Sequence, residues 1–177
     1  SEVIITMLTS SPHVEQVMLG PDGAIEHLKK GSVIIDMSTI NPFVTQKIAA
    51  VAETKGIEML DSPVGSGEQS AMAGTLPLFV GGRRETLEEC RDILEVMGET
   101  ILHVGEVGMG AVVKLSNQLI SAICGIAMCE AFVFGTKLGA DPKILFEAFS
   151  TSGARIMWNK APFPDVVPQS PANRDFD

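Results

Sequence analysis

Lys114 is the one Asp, Glu, Lys, Arg or His between Glu106 and Glu130, and it lies in the apolar run Val107–Cys129. A lone amine on an apolar helix loses hydration, and that loss lowers a lysine pKa towards the range useful for acid–base chemistry. Asn117 follows three residues later, on the same helical face. A charged donor beside a neutral amide can grip a small polar substrate. Two plainer readings apply to the same lysine. A lysine near a helix start can snorkel along an apolar surface to water. The run is also long enough to span a membrane. Against a span stand Lys114, Ser116, Asn117, Gln118 and Ser121, crowded into its first half, because a charge inside a bilayer is costly.

The elements around this lysine alternate. Val3–Leu8 and Ser32–Asp36 are short, β-branched apolar runs of the kind that form buried parallel strands. Gly56–Asp61, Thr75–Val80 and Thr100–Val104 continue the series, with helices expected over 42–55 and 85–97. Strand–helix alternation indicates α/β architecture with a mainly parallel sheet. Ligands of such sheets bind beyond the carboxyl ends of the strands. Three successive strands here end in Ser/Thr/Gly-rich loops, at Thr9–Ser11, Ser38–Thr39 and Gly65–Gly67. Small hydroxyls and bare amides suit an anionic or polyhydroxy ligand, although ordinary turns favour the same residues.

After Gly110 the character changes. A helix over Ala111–Leu138 would be about 40 Å long at 1.5 Å per residue. Val112, Leu115, Leu119, Ile120, Ile123, Ile126, Phe132 and Phe134 surround most of it, so burial on several sides is expected. Gly139 ends it, and Asp141-Pro142 starts a further helix to about Phe149. Beyond Gly153 the prolines at 162, 164, 168 and 171 predict loop. The plan is an α/β unit hinged near Gly105–Gly110 to an all-helical unit, with Lys114 at the start of the connecting helix and facing the crevice.

The whole chain narrows the function classes. Its 177 residues fit one domain, or one and a part, and 45% apolar content supports a substantial core. A net charge of −9 without a basic run argues against a nucleic-acid partner. Cys90, Cys124 and Cys129 show no CxxC spacing, and the last two are expected to be packed thiols. That suits a reducing interior, with the cytoplasm ahead of the mitochondrial matrix. No signal peptide is visible. The chain opens on a strand without an initiator Met, so a preceding part is expected.

Several motifs taken together resemble the β-hydroxyacid dehydrogenases. They are Thr6-Met-Leu-Thr-Ser-Ser-Pro12, Asp36-Met-Ser-Thr39, Asp61-Ser-Pro-Val-Gly-Ser-Gly67 with Ala73-Gly-Thr-Leu76, Val80-Gly-Gly82, and Gly108-x-Gly-x-x-x-Lys114-x-x-Asn117. The resemblance covers essentially all 177 residues. It implies a partial Rossmann-like, mainly parallel sheet over 1–108, belonging to a dinucleotide-binding domain. A long connecting helix and an incomplete all-α substrate and dimerisation domain would follow over 109–177. It implies hydride transfer between NAD or NADP and a short 3-hydroxy acid, with Lys114 moving the proton. Gly65, Ser66 and Gly67 match the loop that holds the substrate carboxylate. Asn117 and Gln118 fill the family's amide positions after the lysine. Leu8, Thr9, His13 and Thr39 match positions lining the cofactor's ribose and nicotinamide side. A homo-oligomer is implied, with no nucleic-acid or membrane partner.

The chain departs from the family at several points. The substrate loop is usually Ser-Gly-Gly and is Gly65-Ser66-Gly67 here. Thr9 stands where Pro is usual. Ser121 stands seven residues after the lysine, where the related 6-phosphogluconate dehydrogenases place an acid, which argues against decarboxylation. His13 has no partner ligands at metal-binding spacing, so no metal site is expected. The glycine turn that holds a cofactor pyrophosphate is not among these residues, since Gly105–Gly110 leads into the connecting helix. These residues alone are therefore expected to bind cofactor and turn over poorly. The acid or base that selects NAD over NADP is expected upstream, and further helices after Asp177. The rival expectation is a non-catalytic interaction module that self-associates through the long helix.

Overall fold

A computed structural model describes residues 2–152 and Ala154. In chain order the elements are β1 (Val3–Thr6), α1 (Ser11–Leu19), α2 (Ala24–His27), β2 (Val33–Asp36), α3 (Pro42–Thr54), β3 (Glu58–Asp61), α4 (Gly67–Ala73) and β4 (Pro77–Gly81). Then come α5 (Arg84–Glu89), α6 (Arg91–Met97), β5 (Thr100–Gly105), α7 (Met109–Lys137) and α8 (Pro142–Thr151). The chain divides into two compact units, residues 1–118 and residues from 119 onward. The loop expected beyond Gly153 lies outside the described residues, apart from Ala154.

In the first unit the strands form one sheet in the order β1-β2-β3-β4-β5. β1, β2 and β3 run parallel to one another, β3 and β4 pair antiparallel, and β4 and β5 are parallel again. The expected α/β, mainly parallel, Rossmann-like sheet followed by a long helix is present. The chain leaving β3 continues antiparallel beside β4 through a bridge between Val64 and Leu78.

Strand alternation builds two cores. Ile34 and Met59 face one side, with Val14 and Met18 from α1 and Ile48 and Ala52 from α3. Val33, Ile35 and Leu60 face the other, with Leu87, Cys90 and Leu94 from α5 and α6. Every residue of β2 is buried, as expected of a strand covered by helices on both faces. Each such aliphatic side chain contributes roughly 1.5–3 kcal/mol of burial free energy. The Asn41 side chain accepts from Phe43 N–H at 2.9 Å and caps α3, which has Pro42 in its first turn.

Several expectations are corrected. The helix expected over 85–97 is two helices that meet at Cys90. Cys90 is buried in the core there, and burial, followed by the Glu89 charge, raises its thiol pKa. The Gly65–Gly67 loop runs directly into a helix over Gly67–Ala73 to which sequence reasoning assigned no element. α2 had no clear periodic signal because it is one turn long.

In the second unit, Phe132 stacks edge-on against Phe149 with ring centroids 5.2 Å apart. The Asp141 side chain caps α8 by accepting from Lys143 N–H. α7 is not buried on several sides. Of the apolar residues expected to pack, only Phe132 is buried, while Leu119, Ile120, Ile123, Ile126 and Phe134 are exposed. The physical reason is a shortage of cover, since α8 is the one other described helix of this unit. Cys124 is half-buried and Cys129 exposed, so the expectation of two packed thiols fails at Cys129. By length and composition α7 could also cross a membrane, a property shared with core helices of soluble proteins.

Candidate functional site

One row of the sheet organises the functional end of the first unit. Thr6, Asp36 and Asp61 are register partners across β1, β2 and β3, and Asp61 pairs in turn with Gly81 of β4. Two carboxylates therefore stand at the ends of adjacent strands, both buried. Burial raises the pKa of each, against hydrogen bonds that favour the carboxylate.

Asp36 fastens the loops after β1 and β2. Its Oδ1 accepts from Thr6 Oγ1 at 2.9 Å and from Ser38 N–H at 3.1 Å. Ser38 Oγ then accepts from Leu8 N–H at 2.9 Å. A few residues on, Asn41 N–H donates to Ser11 Oγ at 3.1 Å, tying the two loops a second time. Thr9 and Ser10 hydroxyls each lie 2.9 Å from His13 Nδ1. An open cavity of about 620 Å³ is lined by Leu8, Thr9 and His13 with Met7, Gln16 and Val17. A second, of about 590 Å³, is lined by Thr9, Thr39, Asn41 and Leu115 among others. Thr9 borders both. Leu8, Thr9, His13 and Thr39 are thus brought to one edge of the sheet, among hydroxyl groups that suit the ribose and amide of a nicotinamide nucleotide.

Asp61 has a different task. Its Oδ1 accepts from Gly108 N–H at 2.6 Å and its Oδ2 from Ala111 N–H at 2.8 Å. Both donors belong to the entry and first turn of α7, where backbone N–H groups have no intrahelical acceptor. A negative charge there also opposes the helix dipole. Lys114 follows one turn later and is only 8% exposed. Among the described residues it has no carboxylate or hydrogen-bond partner, and burial lowers its pKa. Its Nζ is not among the fully enclosed unpaired polar atoms, so the stem is buried while the amine keeps contact with solvent. Asn117 and Gln118, on the same helix, are exposed and make no hydrogen bond to Lys114.

The Gly65–Gly67 turn explains its own departure from Ser-Gly-Gly. A Cβ on Gly65 would lie 2.7 Å from Pro77 Cγ, so position 65 takes glycine. The hydroxyl moves to Ser66, which adopts left-handed backbone at φ 63°, and Gly67 follows at φ 68°. A non-glycine residue held there costs about 1 kcal/mol or more. Ser66 is exposed, and its side chain caps no helix N–H.

None of the three cavities described is lined by Lys114, by Gly65–Gly67 or by Asn117. The third, of about 320 Å³, lies elsewhere on the first unit, among Gln46, Glu53, Glu58, Arg83 and Glu106. Glu58 there is already paired with Arg83 at 3.0 Å. Sequence reasoning gave Asp36 and Asp61 no role. The available signal was a charged residue closing each of two apolar strands, where burial is expected and an acid must find donors.

Comparison with known proteins identifies the chain's relatives. Residues 1–105 match a family model described as the NAD binding domain of 6-phosphogluconate dehydrogenase. Residues 108–177 match the NAD-binding model of NADP-dependent 3-hydroxyisobutyrate dehydrogenase. A probable mitochondrial 3-hydroxyisobutyrate dehydrogenase of Dictyostelium discoideum is 40% identical over 99% of this chain and 56% of its own length. An NAD-dependent L-serine dehydrogenase of Pseudomonas aeruginosa is 39% identical over 99% of this chain and 60% of its own. The solved structure of the Mycobacterium tuberculosis 3-hydroxyisobutyrate dehydrogenase with L-serine superposes with a TM-score of 0.85 at 35% identity. It is covered over 60% of its length by the whole of this chain. The chain therefore spans between half and two thirds of these relatives. Matched from end to end by two NAD-binding models, it belongs to the β-hydroxyacid dehydrogenase family, alongside the 3-hydroxyisobutyrate dehydrogenases.

Proposed function

We propose that this chain supplies the acid–base site of an NAD(P)-dependent dehydrogenase acting on a short 3-hydroxy acid. The observation that carries the reading is Lys114: a lysine only 8% exposed, with no hydrogen-bond partner among the described residues and its pKa lowered by burial. A lowered pKa raises the fraction of neutral amine at neutral pH, and only the neutral amine can accept a proton. In the oxidative direction Lys114 Nζ takes the proton of the substrate hydroxyl. Bound NAD(P)+ would supply the two-electron acceptor for the hydride of the same carbon, giving NAD(P)H. The alcohol becomes a carbonyl and the proton rests on Lys114. In reduction the ammonium returns it to the carbonyl oxygen.

Leu8, Thr9, His13 and Thr39 are assigned to the nicotinamide and ribose, on the support of the two cavities that share Thr9. The Gly65-Ser66-Gly67 turn is assigned to the substrate carboxylate through the amides of Ser66 and Gly67, which are left-handed, while Gly65 N–H donates to Pro77 O and holds the turn. Asn117 and Gln118 are assigned to substrate polar groups. Position 108/109 is taken as the domain division, since the two matched models meet between residues 105 and 108. The names of the relatives point to 3-hydroxyisobutyrate and L-serine. Both are 3-hydroxypropanoates that differ only at C2, so the proposed substrate is a carboxylate with a terminal CH2OH and a small C2 group.

The test is NAD(P)H formation by the full protein over a panel of C2-substituted 3-hydroxypropanoates, with Lys114→Ala alongside. Loss of about 10²–10⁴-fold in kcat is expected, the usual worth of general acid–base catalysis. An unchanged kcat in Lys114→Ala would refute the assignment. A second reading, a self-associating module without catalysis, draws on the exposed apolar residues Leu119, Ile120, Ile123 and Ile126. It predicts concentration-dependent assembly and indifference of every activity to Lys114→Ala.

A further inference from the structure

Two glycines of the expected hinge, Gly108 and Gly110, meet Gly81 of β4 at one carboxylate. A Cβ added to Gly81 would collide with Asp61 Oδ1 and come within 2.8 Å of Gly110 N. A Cβ on Gly110 would lie 2.6 Å from Asp61 O and 2.8 Å from Asp61 Oδ2. Gly108, at φ 94°, supplies the N–H that reaches Oδ1. Gly81 and Gly110 are therefore walls of a cradle with no room for side chains, and Gly108, at positive φ, turns its amide into it. They let the start of α7 come close enough to the end of β3 for the carboxylate to take two of its amides.

We propose that Asp61 is the positioning residue of the Lys114 site, holding the first turn of α7 at two points so that the Lys114 amine stands at a set place. The proposal rests on the reading of Lys114 as the acid–base group. One bond, at Gly108, precedes the helix; the other, at Ala111, is inside its first turn. Two attachments fix both the slide of the helix along its axis and its rotation about that axis, which one bond cannot do. The lever is long. A lysine amine stands several ångströms outside the 2.3 Å helix radius, so a rotation of about 10° moves it by roughly 1 Å. A misplacement of that size can cost on the order of 10²-fold in rate.

The chemistry of the side chain is specific. An aspartate presents two acceptors and no donor, matched to two N–H groups. An asparagine of the same shape presents one acceptor and one NH2, so one amide of α7 would face a donor. A glutamate is one methylene too long for a glycine-walled cradle. Asp61 touches no reacting atom in this scheme and acts only through Lys114.

The experiment is a double-mutant cycle in the full protein, with Asp61→Asn, Lys114→Ala and the pair, assayed on the best 3-hydroxy acid of the panel. Asp61→Asn is expected to lower kcat by about 10–100-fold while KM for acid and cofactor stays within about threefold. In the Lys114→Ala background the same change is expected to move the residual kcat by less than about threefold, because the residue it positions is gone. Asp61→Ser leaves a single acceptor for the two amides and adds no volume to the cradle. It is expected to reproduce the kcat loss, and it serves if Asp61→Asn does not fold. An equal loss with and without Lys114, or a rise in KM at constant kcat, overturns the positioning role while leaving Lys114 as the acid–base group. Full activity of Lys114→Ala overturns the underlying reading itself.

Discussion

Asp36 and Asp61 are neighbours in one row of the sheet, yet they use their carboxylates differently. Asp36 takes Thr6 Oγ1 and Ser38 N–H on the single oxygen Oδ1, and the Ser38 hydroxyl also favours its carboxylate. Asp61 divides its donors, Gly108 N–H on Oδ1 and Ala111 N–H on Oδ2. The first arrangement ties two loops within the sheet edge and uses one oxygen for Thr6 Oγ1 and Ser38 N–H. The second grips the start of a 29-residue helix and needs two. The same residue type at equivalent positions therefore has different tolerance to change. Its local geometry sets that tolerance more than its burial does, since both are buried and both have raised pKa values for the same cause.

Asparagine at each position is the sharpest way to break the comparison. Asp61→Asn is expected to cost about 2 kcal/mol of stability, because a buried amide of α7 loses its acceptor. Asp36→Asn keeps Oδ1 in place and sheds a buried charge, so its urea midpoint is expected within about 0.5 kcal/mol of the parent. Equal losses at the two sites would show that charge, not acceptor count, sets the requirement. Lys114→Met probes the third buried charge nearby. It is expected to stabilise the fold by about 1 kcal/mol at pH 7 while abolishing turnover, the usual conflict between stability and an active group. The sign follows from the lowered lysine pKa: the folded state disfavours the ammonium, so the gain shrinks as pH rises towards 10.5 and the unfolded lysine loses its proton too.

The smallest effect is the pH dependence of the two aspartates. Their folded pKa values lie above the ordinary 3.8, so between 3.8 and those values the folded state binds more protons than the unfolded one. Their contribution to stability is fully present below 3.8 and falls as pH rises through the folded values. The parent's margin over the Asp61→Asn variant should therefore widen, by under about 1 kcal/mol, between pH 7 and pH 4.5. A margin that narrows on acidification would mean that the two amides outweigh burial at Asp61.

The strands were legible because β-branched apolar runs such as Ser32–Asp36 leave few alternatives to a buried strand. The long helix was legible because Ala111–Cys129 holds no proline and a single glycine, Gly125. Helices of a turn or two, such as α2 and α4, were not, since so short a span carries no period. The break at Cys90 was not either, because nothing in 85–97 interrupts helix propensity. The extent of α7's burial was misjudged for a different reason. An apolar circumference shows that cover is favourable, not which segment supplies it.

Lys114 stood out in the sequence as a lone charge in an apolar run, and Gly65-Ser66-Gly67 as a turn. Those are local properties of residue type and order. Asp61 and its three glycines lie 20 to 49 residues apart and show no pattern along the chain. The antiparallel pairing of β4 against β3 puts Gly81 beside Asp61, and the return of the chain after β5 puts Gly108 and Gly110 there. Local order decided which side chain stands out as the proposed proton carrier. Only the packing of β3, β4 and the start of α7 decided what holds it in place, because a two-point hydrogen bond to a buried carboxylate exists only when distant backbone segments meet.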